Sequence, residues 1–235
     1  MSHSLPLLTA EQLTCIREER LLFDALSLAI YPGDIVQVEG PNGSGKSTLL
    51  QLLAQFTLPN SGKVEMPQVE AENVYSQITY AAPYVELIEE YTLIEHLELL
   101  KKNQYLPFSI NIEHFEKFIE LSPDRHKSIK NYSSGMRQKI KLAIALLSPR
   151  PILCLDEPTS NLDDKAKQWF IKRLQENRSK LILIASNEKN SQLILVGEVR
   201  NHMKLCFSRF LKSHNKPIQN PCYSRTYCPL QSTCH

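Results

Sequence analysis

The chain has 235 residues, 42% of them apolar and 22% charged, enough for one large α/β domain or two small ones around a shared core. Its formal net charge of +2 conceals a division: Arg200, Lys204, Arg209, Lys212, Lys216 and Arg225 follow Val199 with no Asp or Glu among them, so the main body is mildly acidic. That argues against nucleic acid as a partner, which calls for a strongly basic face, and no apolar run approaches the ~20 residues that cross a bilayer.

The first twelve residues, Met1–Gln12, lack a basic segment followed by an apolar stretch and a small-residue cleavage site, so the chain is expected to stay in the cytoplasm. Leu13–Arg17 and Leu21–Ile30 have strand-like apolar spacing, and Tyr31-Pro32-Gly33-Asp34 is a turn signal. Ile35–Glu39 reads as a short buried strand, Gly40–Lys46 as a glycine-rich loop and Ser47–Phe56 as a helix. Pro59-Asn60-Ser61-Gly62 marks a further turn, and Ile78–Ala82 another strand.

From about Tyr91 to Leu147 the periodicity is helical. Thr92 and Glu95 form a capping-box pattern, and Ser109–Glu120 and Gly135–Leu147 are amphipathic. Strands return at Ile152–Leu155 and Leu181–Ala185, with a helix over Lys165–Asn177 between them. Continuous apolar strands alternating with helices imply an α/β fold with a mainly parallel central sheet. Cys15 and Cys154 fall in predicted core strands; Cys206, Cys222, Cys228 and Cys234 crowd the last thirty residues without a C-x-x-C pair, which makes zinc a weak reading.

Gly40-Pro41-Asn42-Gly43-Ser44-Gly45-Lys46-Ser47 matches G-x-x-x-x-G-K-[ST] at every fixed position, with a strand before it and a helix after. The glycines let successive backbone N–H groups point inward at phosphate oxygens, and the helix N-terminus, running on through Thr48, adds a favourable field. Lys46 is placed to reach the β- and γ-phosphates of ATP, and the Ser47 hydroxyl to ligate Mg2+. The apolar strand Ile152–Leu155 then ends in two acids: Asp156 can hold the metal, and Glu157 can polarise the attacking water.

At Tyr132-Ser133-Ser134-Gly135-Met136-Arg137-Gln138 the chain resembles the signature segment of ABC ATPases, with Ser134 where a glycine is usual and Met136 where a glutamine is. Ser160-Asn161-Leu162-Asp163 is similar to the loop those proteins use for communication across their dimer. The resemblance spans about Leu13 to Asn187 and implies a P-loop NTPase with an N-terminal antiparallel β subdomain and a helical subdomain inserted at about 84–150, the cassette filling 1–198. It also implies an ATP-hydrolysing subunit on the cytoplasmic face of the membrane. A second cassette would pair head to tail with it, Ser133, Ser134, Gly135 and Met136 closing over ATP held by the partner, and a separate membrane-spanning subunit would take up the motion. A soluble, non-transport ABC ATPase and a nucleotide-sensing module with little turnover are the alternatives. The segments Leu13–Phe23 and Val36–Gly40 look like the ATP-binding subunit of the cytochrome c maturation, or heme exporter, type.

Against that pattern three positions depart. Arg17 stands where an aromatic usually stacks on adenine; its guanidinium can stack as well, or it is an exposed charged strand end. Pro83 replaces the glutamine expected to touch Mg2+, with Gln77 too early and Glu86 dependent on a rearranged loop. Asn187 replaces a histidine, so it can hydrogen-bond a γ-phosphate but cannot titrate near neutrality. Retained but slow hydrolysis is the expectation. The acid-free tail 199–235 reads either as a basic surface for a membrane or partner, or as a weakly ordered segment without function.

Overall fold

A computed structural model of the chain describes residues 5–187 and 202–206. Two long strands, β1 (Leu8–Arg17) and β2 (Arg20–Ile30), pair antiparallel, and β4 (Ser61–Glu65) joins the other edge of β1, giving the order β2-β1-β4. This is the antiparallel N-terminal layer the sequence implies. Its third strand falls in a stretch that reads as turn, because β4 is almost wholly exposed and carries no apolar periodicity.

The second sheet has the order β5-β6-β7-β3-β8, built from β3 (Ile35–Glu39), β5 (Ile78–Ala81), β6 (Ile152–Asp156), β7 (Leu181–Ser186) and β8 (His202–Cys206), and each of its pairings is parallel. Strands β3, β5, β6 and β7 are buried along their whole length, which is why β6 and β7 read as nearly continuous rather than alternating apolar runs. Successive residues face opposite layers. Val36, Val38, Cys154 and Leu183 pack with α1 (Lys46–Leu53) and the antiparallel sheet, whereas Ile35, Leu153, Leu155, Ile182 and Ile184 pack with the helices of the other face. Cys15 and Cys154 are both fully buried.

Those helices are α2 (Leu93–Lys102), α3 (Ile112–Ile119) and α4 (Ser134–Leu147), all between β5 and β6, and α5 (Asp164–Glu176) between β6 and β7. The Thr92–Glu95 capping box is formed at both hydrogen bonds, and Asn111 caps α3 through His114 N–H at 2.8 Å. One expectation fails at the carboxyl end. The main sheet does not stop before residue 198: β8, inside the stretch read as a basic tail, pairs in parallel with β3 from Ile35↔His202 to Glu39↔Cys206. The segment's lysine and histidine break the apolar run by which β6 and β7 are recognised, so the sequence does not announce β8. Leu193–Val196, Cys222, Cys228 and Cys234 lie outside the described residues.

Candidate functional site

Strands β3, β6 and β7 are neighbours, so their carboxyl ends deliver Gly40, Asp156 and Asn187 to one edge of the sheet. From β3 the chain turns through Gly40–Gly45 into α1. Gly45 has φ +99° and is the N-cap of α1, and a Cβ there would meet Leu22 Cδ1 at 3.1 Å. The backbone conformation therefore calls for glycine, and a side chain there would also press on Leu22. Ser44 and Lys46 are buried, whereas Pro41, Asn42 and Gly43 are exposed and Ser47 and Thr48 half-buried.

Lys46 Nζ curls back into this loop, donating to Gly40 O at 3.0 Å, Pro41 O at 3.2 Å and Asn187 Oδ1 at 3.1 Å. Glu157 Oε1 lies 3.6 Å from the same ammonium. One cation thus gathers the phosphate loop, the second acid and the residue after β7. Glu157 is held in the left-handed region at φ +46°, its N–H donating to Ala185 O at 2.9 Å. That backbone costs on the order of 1–3 kcal/mol for a non-glycine residue and is sustained by the surrounding sheet.

Burial pushes the Asp156 carboxyl upward, opposed by a hydrogen bond with the Ser47 side chain and by the Lys46 charge. Burial also raises Glu157, with Lys46 pulling it down, the Asp156 charge pushing it up and the Asn187 backbone bonding to it. Asp156 Oδ1 and Ser44 Oγ are buried without a hydrogen-bond partner. A buried carboxylate oxygen left open beside a serine hydroxyl is the donor set a hard divalent cation takes, so Asp156 and Ser47 fit Mg2+.

The start of α4 and the loop after Glu157 form a second cluster. Ser133 caps α4, its Oγ accepting from Met136 N–H at 3.2 Å, and Ser133 and Ser134 are exposed while Gly135 and Met136 are half-buried. A Cβ on Gly135 would stand 3.3 Å from Asn161 O, and Gln138 Nε2 donates to Pro158 O at 3.0 Å. The start of α4 therefore packs against the loop that follows Glu157. Asp163 caps α5, accepting from Ala166 N–H at 2.7 Å. Pro83, Glu86 and Lys141 line a cavity of about 180 Å³ together with Ser134 and Asn161, so Glu86 belongs to this second cluster. Gln77 ends a short 3-10 helix and donates to Ser76 Oγ at 2.9 Å. Arg17 is exposed at the end of β1; its cross-strand partner Arg20 is the one whose guanidinium approaches Gly43 O, at 3.5 Å.

Sequence reasoning missed Leu22, which floors Gly45, and the polar side chains of Gln37 and Ser186. The signal for Gln37 was present: with Glu39 it sits at i and i+2 of an otherwise apolar buried strand.

A parallel sheet, a phosphate loop between β3 and α1, and an acid pair ending β6 together define a nucleotide-binding domain of the P-loop NTPase class. Residues 23–160 match the ABC transporter family. The cytochrome c biogenesis ATP-binding export protein CcmA of Colwellia psychrerythraea is 36% identical over 173 residues, which cover 68% of this chain and 75% of that protein. CcmA 1 of Cupriavidus metallidurans is 30% identical over 203 residues, covering 82% of this chain and 98% of its own. Among solved structures, a dimeric ATP-binding cassette in a post-hydrolysis state with ADP and Pi is similar in fold, with TM-score 0.68 and 23% identity over 84% of this chain and 93% of that one. The chain belongs to the ABC transporter family, as an ATP-binding subunit with that family's ATPase activity.

Proposed function

We propose that the chain is the motor of a transporter of the cytochrome c biogenesis type, the system named in both relatives, working with a separate membrane-spanning subunit at the cytoplasmic face of the membrane. No helix among the described residues is long and apolar enough to cross a membrane. Tyr84, Val85 and Ile88 are exposed apolar side chains beside Pro83 and offer such a partner a contact between the sheet and the inserted helices.

The observation that carries the catalytic reading is Lys46 at the junction of Gly40 O, Asn187 Oδ1 and Glu157. ATP entering the loop replaces these acceptors with phosphate oxygens, backbone N–H groups at the start of α1 bind the rest, and the Asn187 side chain is freed towards the γ-phosphate. Ser47 and Asp156 would hold Mg2+, which when bound would supply charge neutralisation on the phosphates. Glu157 accepts a proton from water as the water oxygen bonds to the γ-phosphorus and the bond to the β-phosphate oxygen breaks, releasing ADP and phosphate. The start of α4, with Ser133 and Ser134 exposed, suits the γ-phosphate bound by a second cassette, in a head-to-tail dimer with Asp163 at the seam. ATP then favours the closed pair and hydrolysis the open one. The test is magnesium-dependent phosphate release by the purified chain: turnover that Glu157→Gln abolishes supports the reading, and turnover untouched by that change contradicts it.

A further inference from the structure

Behind the phosphate loop lies a polar cluster that the hydrolysis step does not use. In β3, Ile35, Gln37 and Glu39 share one face and pair across the strands with Ile182, Ile184 and Ser186 of β7. The first rung is apolar, as a buried parallel sheet demands; towards the carboxyl ends it becomes polar while remaining buried. Gln37, Glu39 and Ser186 are 1%, 3% and 4% exposed. The Gln37 amide spends both hydrogens here, one donated to Glu39 Oε1 at 2.8 Å and one to Ser186 Oγ at 3.3 Å. Replacing a whole buried polar network by well-packed apolar side chains is often neutral for stability, so the gain from this one is sought in geometry.

What it positions follows from the next residue on each strand. Glu39 precedes Gly40 and Ser186 precedes Asn187, and those two supply acceptors to Lys46 Nζ at 3.0 and 3.1 Å. Glu39 and Ser186 are themselves register partners. We propose that Gln37, Glu39 and Ser186 are positioning residues that set the height of β3 against β7, and through it where Lys46 and the Asn187 side chain stand relative to one triphosphate. This rests on the hydrolysis reading above.

The test compares Glu39→Val, Glu39→Gln and Ser186→Ala in the full chain for kcat, KM and melting temperature. Glu39→Val removes the acceptor and leaves a buried Gln37 N–H unpaired, so the melting temperature should drop by a few degrees; kcat measured well below it should still fall roughly ten- to a hundredfold, as misplacement of reacting groups does. Glu39→Gln keeps an oxygen for Gln37 and should restore most of kcat. Should Glu39→Val not fold, Ser186→Ala, which deletes one hydroxyl and the longer of the two bonds, should cost less stability and still lower kcat measured well below its melting temperature. Wild-type kcat in the folded valine or alanine variant, or a loss that merely follows falling stability and is not rescued by glutamine, overturns the inference. Because Glu157→Gln tests hydrolysis independently, a silent Glu39→Val sinks the network alone, whereas an unmutated chain without turnover sinks both.

Discussion

The two clusters of the site differ in how they are finished. The Lys46 cluster is closed by its own subunit: Lys46, Asp156 and Ser44 are buried, and the ammonium is met from Gly40, Pro41, Asn187 and Glu157. The Ser133 cluster is braced from beneath, by Gly135 against Asn161 and Gln138 on Pro158 O, but its outer face is exposed. A site whose charged half is preorganised and whose other half is an open helix N-terminus divides binding from closure. Changes in the first half should act on binding or chemistry within one subunit, and changes in the second only on steps that need a partner.

The sharpest contrast comes from Glu157→Gln. Removing a general base typically lowers turnover by about 10²- to 10⁴-fold, and ATP affinity should survive because Lys46 and the loop are untouched. The direction of the Glu157 shift adds two checks. A carboxyl raised by burial is ionised less readily, so the rate should fall on acidification at a pH above the ordinary carboxylate range. For stability the sign is opposite to that of a salt-bridged acid: the contribution is present below the unfolded-chain pKa and is lost as pH rises through the raised folded value. The neutral glutamine should therefore melt higher than the unmutated chain near neutrality when no nucleotide is present.

A smaller, more selective effect is expected at the open cluster. Gly135→Val would press a side chain on Asn161 O, only 3.3 Å from the Cβ position, and disturb the helix start. ATP binding to a single subunit should stay within about threefold, while ATP-driven association and turnover fall by about tenfold or more, the loss expected for a misplaced phosphate donor. Equal losses of binding and turnover in light-scattering and titration measurements would erase the distinction between the two halves.

Much of the first half was legible from residue order alone. Gly40–Ser47 carries its own geometry, and Asp156-Glu157 ends a strand whose apolar run declares its burial. What escaped had weaker local signals. The β4 strand is exposed and held by pairing with β1, and β8 carries a lysine and a histidine in an acid-free stretch, so neither shows the apolar run of a buried strand. Leu22 reaches Gly45 from a distant hairpin, a contact made by tertiary packing that no spacing announces. The placement of Glu86 beside Lys141 and Asn161 depends in the same way on how the inserted helices lie against the sheet.

The mildest test sits at Asp163, which has both a cap and a proposed dimer role. Asp163→Ala removes the 2.7 Å bond to Ala166 N–H; a lost N-cap costs about 1 kcal/mol, lowering the melting temperature by roughly 2–4 °C in a domain of this size. Asp163→Asn keeps a capping oxygen and should recover the stability. Turnover that stays low in the asparagine variant marks a role at the dimer seam, and turnover that recovers with stability marks a cap alone.

The most direct measurement is an equilibrium titration of the purified chain with ATP, with and without Mg2+, repeated for Lys46→Met. Saturable binding strengthened by the metal and weakened about 10- to 100-fold by the substitution, the range for charge-assisted hydrogen bonds, is the predicted result. Binding that ignores Mg2+, or that is the same with methionine at position 46, would contradict the account.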